Sequence, residues 1–208
     1  MKKIILTASI IALAATATNA QITVGAKAGL NLATFTGADA TRTNLPGKSN
    51  KAGLNVGAIV NIPISSGISV EPGASLSMEG CKVDGGTYDL VYINVPVMAK
   101  YKFPHTKGNK DAGFSIASGP QVGYLVSANV KPTGGVNTDI KDQLKSFDYS
   151  WAVALSYMTA KRFGIEAKYN IGVLTIDKDD PKQKITNSVL QFNLFYIFAK
   201  KGKVKKGK

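Results

Sequence analysis

The sequence predicts an all-β chain folded as an eight-stranded antiparallel up-and-down transmembrane β-barrel, and three observations carry this. Eight segments alternate apolar with small or polar residues at period two, the mark of a strand with two unlike faces. Several of these segments exceed ten residues, whereas strands of soluble proteins usually have about 5–6. The connections between them alternate between long and short.

The segments, in order, are 22–34, 52–63, 67–79, 88–103, 112–127, 147–158, 162–175 and 187–199. In the third, Ile68, Val70, Ala74, Leu76 and Met78 alternate with Ser69, Glu71, Gly73, Ser75 and Ser77. The fourth is the clearest: Val91, Ile93, Val95, Val97, Ala99, Tyr101 and Phe103 share one face, and Tyr92, Asn94, Pro96, Met98, Lys100 and Lys102 share the other. The seventh sets Phe163, Ile165, Ala167, Tyr169, Ile171 and Val173 against Arg162, Gly164, Glu166, Lys168, Asn170 and Gly172. A tilted strand crosses a bilayer with about 9–11 residues, which every segment supplies. Pro72, Pro96 and Pro120 fall inside segments, where each removes a ladder donor, so local bulges or shifted strand limits are expected there.

Before the first strand, Met1-Lys2-Lys3, the apolar run from Ile4 to Ala17 and Thr18-Asn19-Ala20 form the three parts of a secretory signal peptide, residues 1–20. The run is shorter than the roughly 20 apolar residues of a spanning helix. Residues 21–199 then make one barrel domain, and 200–208 a basic disordered tail. The formal charge of +13 falls to +11 without Lys2 and Lys3, and to +5 without the six lysines of the tail. That removes the case for a nucleic-acid partner and leaves the tail as a weak contact for anionic head groups. With Cys81 as the single cysteine there is no disulfide framework, and Cys81 itself reads as a loop residue without a partner.

The connections run 35–51 (long), 64–66 (tight), 80–87, 104–111 (short and lysine-rich), 128–146, 159–161 (tight) and 176–186. Long loops at one end, short turns and both termini at the other, is the plan of an outer-membrane barrel. On that plan the long loops face the exterior with Arg42, Cys81, Asp84, Asp139, Lys141, Asp142, Asp177, Asp179 and Asp180.

Alternation alone does not say which face is inside, since a soluble ligand-binding barrel has the reverse arrangement. The polar face is rich in Gly and Ser, which suits a narrow interior. The apolar face carries aromatics near strand ends: Tyr101, Phe103, Phe147, Tyr149, Trp151, Tyr157, Phe163, Tyr196 and Phe198. Such residues form belts at membrane interfaces. The few charges of the polar face, Lys27, Glu71, Lys100, Glu166 and Lys168, are of both signs, so an interior charge network is expected among them. A proton or ion path through them is the alternative. Eight strands leave an interior just wide enough for side chains to fill, which argues against an open pore.

Several segments resemble the PorT-like outer-membrane β-barrel family of Bacteroidota. They are Gly25-Ala-Lys-Ala-Gly-Leu-Asn-Leu32, Tyr92-Ile-Asn-Val-Pro-Val-Met-Ala-Lys-Tyr101, Ser118-Gly-Pro-Gln-Val-Gly-Tyr-Leu-Val-Ser127, Phe147-Asp-Tyr149 and Tyr169-Asn-Ile-Gly172. The resemblance implies an outer-membrane barrel, mostly without an assigned role; one named member is linked to the type IX secretion system and gliding machinery. It supplies no catalytic motif. Outer-membrane strands usually finish at a C-terminal aromatic read by the insertion machinery, whereas here ten residues follow Phe198.

No cofactor or metal is called for. His105, the single histidine, lies in the Pro104-His-Thr-Lys-Gly-Asn-Lys turn and reads as a surface residue and not a general base, and Asp177-Lys-Asp-Asp180 lacks the glycine and terminal glutamate of a known calcium loop. Gly85-Gly86 and Gly134-Gly135 read as turns. The expectation is a non-enzymatic protein of the cell outer membrane with a structural or surface-interaction role through its loops. Its expected partners are outer-membrane lipid or lipopolysaccharide, the barrel-insertion machinery and envelope or secretion-system proteins. The alternatives are an accessory subunit of a secretion assembly of type IX kind and a soluble ligand-binding barrel.

Overall fold

The computed structural model describes residues 22–40, 45–104, 112–176, 178 and 184–200. Residues 1–20, Arg42, His105, the Asp177, Asp179 and Asp180 cluster, and the tail beyond Lys200 lie outside the described residues.

Eight long strands close a ring: β1 (Thr23–Thr36), β2 (Ser49–Ser65), β3 (Ile68–Val83), β4 (Gly86–Lys102), β5 (Gly113–Pro132), β7 (Phe147–Met158), β8 (Phe163–Gly172) and β9 (Thr186–Lys200). Each pairs antiparallel with its neighbours in sequence, and β1 pairs with β9 to close the circle. The two-residue β6 (Thr138–Asp139) only adds to the outer end of β5. Closure leaves no edge strand among the eight, as a sheet that spans hydrocarbon requires.

The period-two pattern translates directly into faces. β7 alternates exposed and buried residues through Leu155, with Phe147, Tyr149, Trp151, Val153 and Leu155 outward, and Asp148, Ser150, Ala152, Ala154 and Ser156 inward. Aromatic residues cap the outward face at two levels. Phe114 packs on Tyr157 with centroids 4.8 Å apart, and Tyr124 on Phe147 at 5.4 Å. Phe114 and Tyr124 on β5, like Phe147 and Tyr157 on β7, are ten positions apart. At about 3.3 Å per residue on a strand tilted 35–45°, ten positions span roughly 25 Å, the height of an outer-membrane apolar band. The apolar face is therefore the lipid face.

Three expectations need correction. The stretch 80–87 is not a long loop: β3 and β4 run on to a tight turn at Asp84–Gly85, where Gly85 takes the left-handed backbone (φ +84°) that such a turn demands. β5 likewise continues to Pro132, well into the stretch read as loop. The barrel wall extends beyond the membrane because outside it the strands still have an apolar interior to bury. The third correction concerns the prolines. Pro72, Pro96 and Pro120 cause no register shift; they oppose Val97, Gln121 and Trp151 in the same register as their flanks. Pairing breaks off at Pro72 and resumes at Ser75 on β3–β4, and breaks at Pro96 and resumes at Ala99 on β4–β5, so the missing donors are absorbed by short gaps and not by inserted residues. The true shifts fall between Val24 and Gly25, Asn50 and Asn55, Pro63 and Ser65, and Val91 and Tyr92.

Candidate functional site in the barrel interior

The inward residues stack in layers along the barrel axis. Nearest the end that holds Thr23, Lys200 and the short turns, Lys100 Nζ donates to Glu71 Oε2 at 2.8 Å and lies 5.8 Å from the centre of the Phe195 ring. A side chain at position 164 would collide with that ring, so Gly164 opens the space Phe195 occupies. One layer further in, Lys27 Nζ donates to Glu166 Oε1 at 3.2 Å, and Asn193 Nδ2 donates to the same oxygen at 2.8 Å. Lys168 Nζ donates to Gln121 Oε1 at 3.1 Å. The structure thus joins four of the five sequence-derived network residues into two pairs, Lys27–Glu166 and Lys100–Glu71, and gives Lys168 an amide partner.

Above these comes an uncharged layer. Asn31 Nδ2 donates to Ser77 Oγ (2.9 Å) and to the Met78 carbonyl oxygen (3.0 Å), while Asn55 Nδ2 donates to Asn31 Oδ1 at 2.7 Å. Next is Glu79, 3% exposed, which accepts from Asn94 Nδ2 at 2.8 Å and from Asn187 Nδ2. Asp148 and Tyr92 sit close by across Gly123. Here the Tyr92 hydroxyl, one Asp148 oxygen and Asn187 Oδ1 have no protein partner, nor has the Asn170 amide on β8.

Beyond Tyr92 the interior changes character. Phe35, Cys81, Leu90, Tyr92, Leu125, Ala128, Ile140 and Ile176 form an apolar core that closes the outer end. Cys81 is fully buried there, not a loop residue: its thiol lies 3.2 Å from the Lys82 carbonyl oxygen and 3.4 Å from that of Ser49. The loops are stitched over this core. The Asp84 amide donates to the Pro46 carbonyl (2.8 Å), the Lys184 amide to Asp39 Oδ2 (2.7 Å), the Ile140 amide to the Ala128 carbonyl (3.0 Å) and the Lys145 amide to the Ile176 carbonyl (2.9 Å).

On the rim, Asp89 meets Lys51 at 3.0 Å and Lys131 at 2.5 Å. Asp89 opposes Asn129, five positions beyond the Tyr124 belt, so it stands outside the membrane. Burial pushes its carboxyl up, but the hydrogen bonds and charges of Lys131 and Lys51 outweigh this and hold its pKa below the ordinary aspartate value.

Glu79, Lys51, Asp89 and Asp148 were not singled out in the sequence. Asp148 was within reach, since it alternates with Phe147 and Tyr149 on a strand already assigned. Lys51 fell in a stretch read as loop, and Glu79 at the last position before another. Among the described residues no three His, Cys, Asp or Glu side chains come together as metal ligands.

A closed antiparallel ring with a lipid-facing apolar band, aromatic belts and a filled polar lumen defines an outer-membrane β-barrel protein. Residues 16–178 match the family described as outer membrane protein beta-barrel domain, and the chain belongs to that family. It is similar in shape to the crystal structure of Neisserial surface protein A (12% identity, TM-score 0.49, covering 84% of this chain and 97% of that one). Ail, the attachment invasion locus protein of Yersinia pestis, matches with 12% identity and TM-score 0.47 over 85% and 98%. OprG of Pseudomonas aeruginosa matches with 11% identity and TM-score 0.46 over 85% and 94%. At such identities the likeness concerns shape alone. No curated protein matches the chain.

Proposed function

We propose that the protein is a non-enzymatic surface barrel that holds a rigid set of outer loops against the lipopolysaccharide leaflet and other envelope components. The observation that carries this reading is the double closure of the lumen. Ion pairs and amides fill it within the membrane, and an apolar core seals its outer end, so the barrel serves as a support and not a conduit. The outer end presents Lys82 on β3 and Lys178 and Lys184 on the stitched loops, all exposed, together with Lys131 on the rim. Lysines at this level face the phosphates of an anionic leaflet, each contributing on the order of 1 kcal/mol. The resemblance to PorT-like barrels supports reading the chain as a barrel of that kind. Two of the resembling segments, on β4 and β5, pair with each other, Ile93 opposite Tyr124 and Pro96 opposite Gln121.

The test reconstitutes the barrel in planar bilayers and in vesicles with or without lipopolysaccharide. The expected result is no steady conductance, and a higher unfolding temperature with lipopolysaccharide that Lys82→Glu, Lys131→Glu, Lys178→Glu and Lys184→Glu together abolish. A steady conductance in the intact barrel sinks the reading.

A further inference from the structure

The end of the barrel that carries both described chain ends and the short turns faces the periplasm on the outer-membrane plan. There the lumen opens as a bowl of about 250 Å³, just below the usual range of small-molecule sites and so suited to a compact ligand. On its inner wall Lys100 is paired with Glu71, and Lys102 also lines it. Met158, Phe195 and Ile197 give it an apolar side, and Arg162 stands among the lining residues. The layers above are filled, so the bowl is a dead end.

Arg162 has a second peculiarity. It is the one non-glycine residue with positive φ (+69°) among the described residues. It ends the β7–β8 turn, where its amide donates to the Thr159 carbonyl at 3.0 Å. Glycine takes such a position without the clash between Cβ and the following carbonyl, and asparagine offsets it by a local side-chain hydrogen bond. A turn needs no arginine there, and strain of this kind is retained where the side chain has a task. The guanidinium, among the described residues, donates only to the Phe198 carbonyl oxygen, at 3.4 Å, which leaves most of its five N–H donors available on a residue that lines the bowl.

We propose that this periplasmic bowl is a binding site for a small carboxylate with a compact apolar body. The apolar part lies against Met158, Phe195 and Ile197, and the carboxylate takes the Arg162 fork in the bidentate geometry that guanidinium and carboxylate share. Such a carboxylate belongs either to a free organic acid or to the C-terminus of a peptide ending in an apolar residue.

The experiment titrates the barrel in lipid nanodiscs with 4-fluorophenylacetate, followed by fluorine NMR, with 4-fluorophenylacetamide as the neutral twin. The acid is expected to bind saturably and at least tenfold more tightly than the amide. Arg162→Gly suits the left-handed backbone, so it is expected to keep or raise the unfolding temperature while weakening the acid at least tenfold. Arg162→Lys is expected to fall between, because it keeps the charge without the fork. Ser156→Trp, which fills the bowl, is expected to abolish binding in a barrel whose gel mobility still shifts on heating. Competition by N-acetyl-glycyl-phenylalanine stronger than that of unlabelled phenylacetate identifies peptide termini as the source, and weaker competition identifies free acids. Equal binding of acid and amide, unchanged binding by Arg162→Gly or Ser156→Trp, or no saturable binding overturns the proposal.

Discussion

The membrane section of this barrel and its outer extension solve the same packing problem with opposite signs. Between the aromatic belts, Val95, Val97 and Ile116 face outward and Glu71, Lys100 and Glu166 face inward. Past the Tyr124 belt the same strands turn apolar residues inward, with Leu90 and Leu125 both fully buried, and carry Lys82 and Lys131 outside. The solvent explains the inversion. Lipid offers apolar surface no penalty, so the spanning section keeps its polar groups for itself and must satisfy them internally. The extension stands in water and is held by the hydrophobic effect, as a soluble domain is. One continuous set of strands therefore contains two stability mechanisms that separate substitutions can tell apart.

The largest effect is expected from breaking a membrane-section pair on one side only. Lys27→Met leaves the Glu166 carboxylate buried with Asn193 as its remaining hydrogen-bond donor, and is expected to cost about 3–5 kcal/mol. Lys27→Met combined with Glu166→Leu removes both charges and is expected to recover most of that loss. Urea unfolding in lipid vesicles measures both. Equal losses in the single and double variants would mean that the pair matters for its shape and not its charge.

Leu90→Ala is expected to cost about 2–5 kcal/mol by opening a cavity in the outer core. Its readout is local, because Cys81 lies in the same core. The intact protein should react with a maleimide only after unfolding, whereas the Leu90→Ala thiol should react while the heat-shifted gel band still shows a closed barrel. The lipid-facing Leu54→Ala should change neither rate. If both leucines behave alike, the two regions do not differ in the way described.

A charge on the lipid face gives the third test. Val153 lies outward on β7 about midway between Phe147 and Tyr157. Val153→Arg is expected to cost about 2–4 kcal/mol in a bilayer. An arginine at the exposed Lys82 position of the extension should cost close to nothing.

The membrane section was legible in the sequence because its two faces differ sharply. Val91, Ile93, Val95 and Val97 against Tyr92, Asn94, Pro96 and Met98 keep a contrast along β4, and the inward charges stand out against glycine and serine. The extension was not legible for a physical reason. Leu90 and Tyr92 inside flank Val91 near the outer rim, so both faces are apolar there and the period-two contrast fades. Register shifts between Asn50 and Asn55 and between Val91 and Tyr92, and the positive φ of Gly80 (+124°), also break the count of faces. Cys81 was misplaced by this loss of phase. Arg162 was assigned to the inward face of its strand, but nothing in the sequence announces a left-handed backbone at an arginine.

The smallest effect is a pH response confined to the extension. Asp89 has a folded-state pKa below its ordinary value, because Lys131 and Lys51 outweigh the cost of burial. A carboxyl whose pKa is depressed by folding adds stability that is fully present above the unfolded value near 3.8 and is lost as pH falls through the folded value. The contribution should therefore be intact at neutral pH and disappear below about pH 4. Asp89→Asn should lower stability at pH 7 and remove that acid-side slope, measured as the unfolding temperature between pH 3 and 7. Because the pair sits outside the membrane, raised salt should shrink the difference at pH 7 by screening the exposed Lys131 partner, while leaving the cost of Lys27→Met unchanged. A salt response of the same size at both pairs would place Lys27 and Glu166 in contact with bulk water, and the lumen would then be wetter than a filled eight-stranded barrel permits.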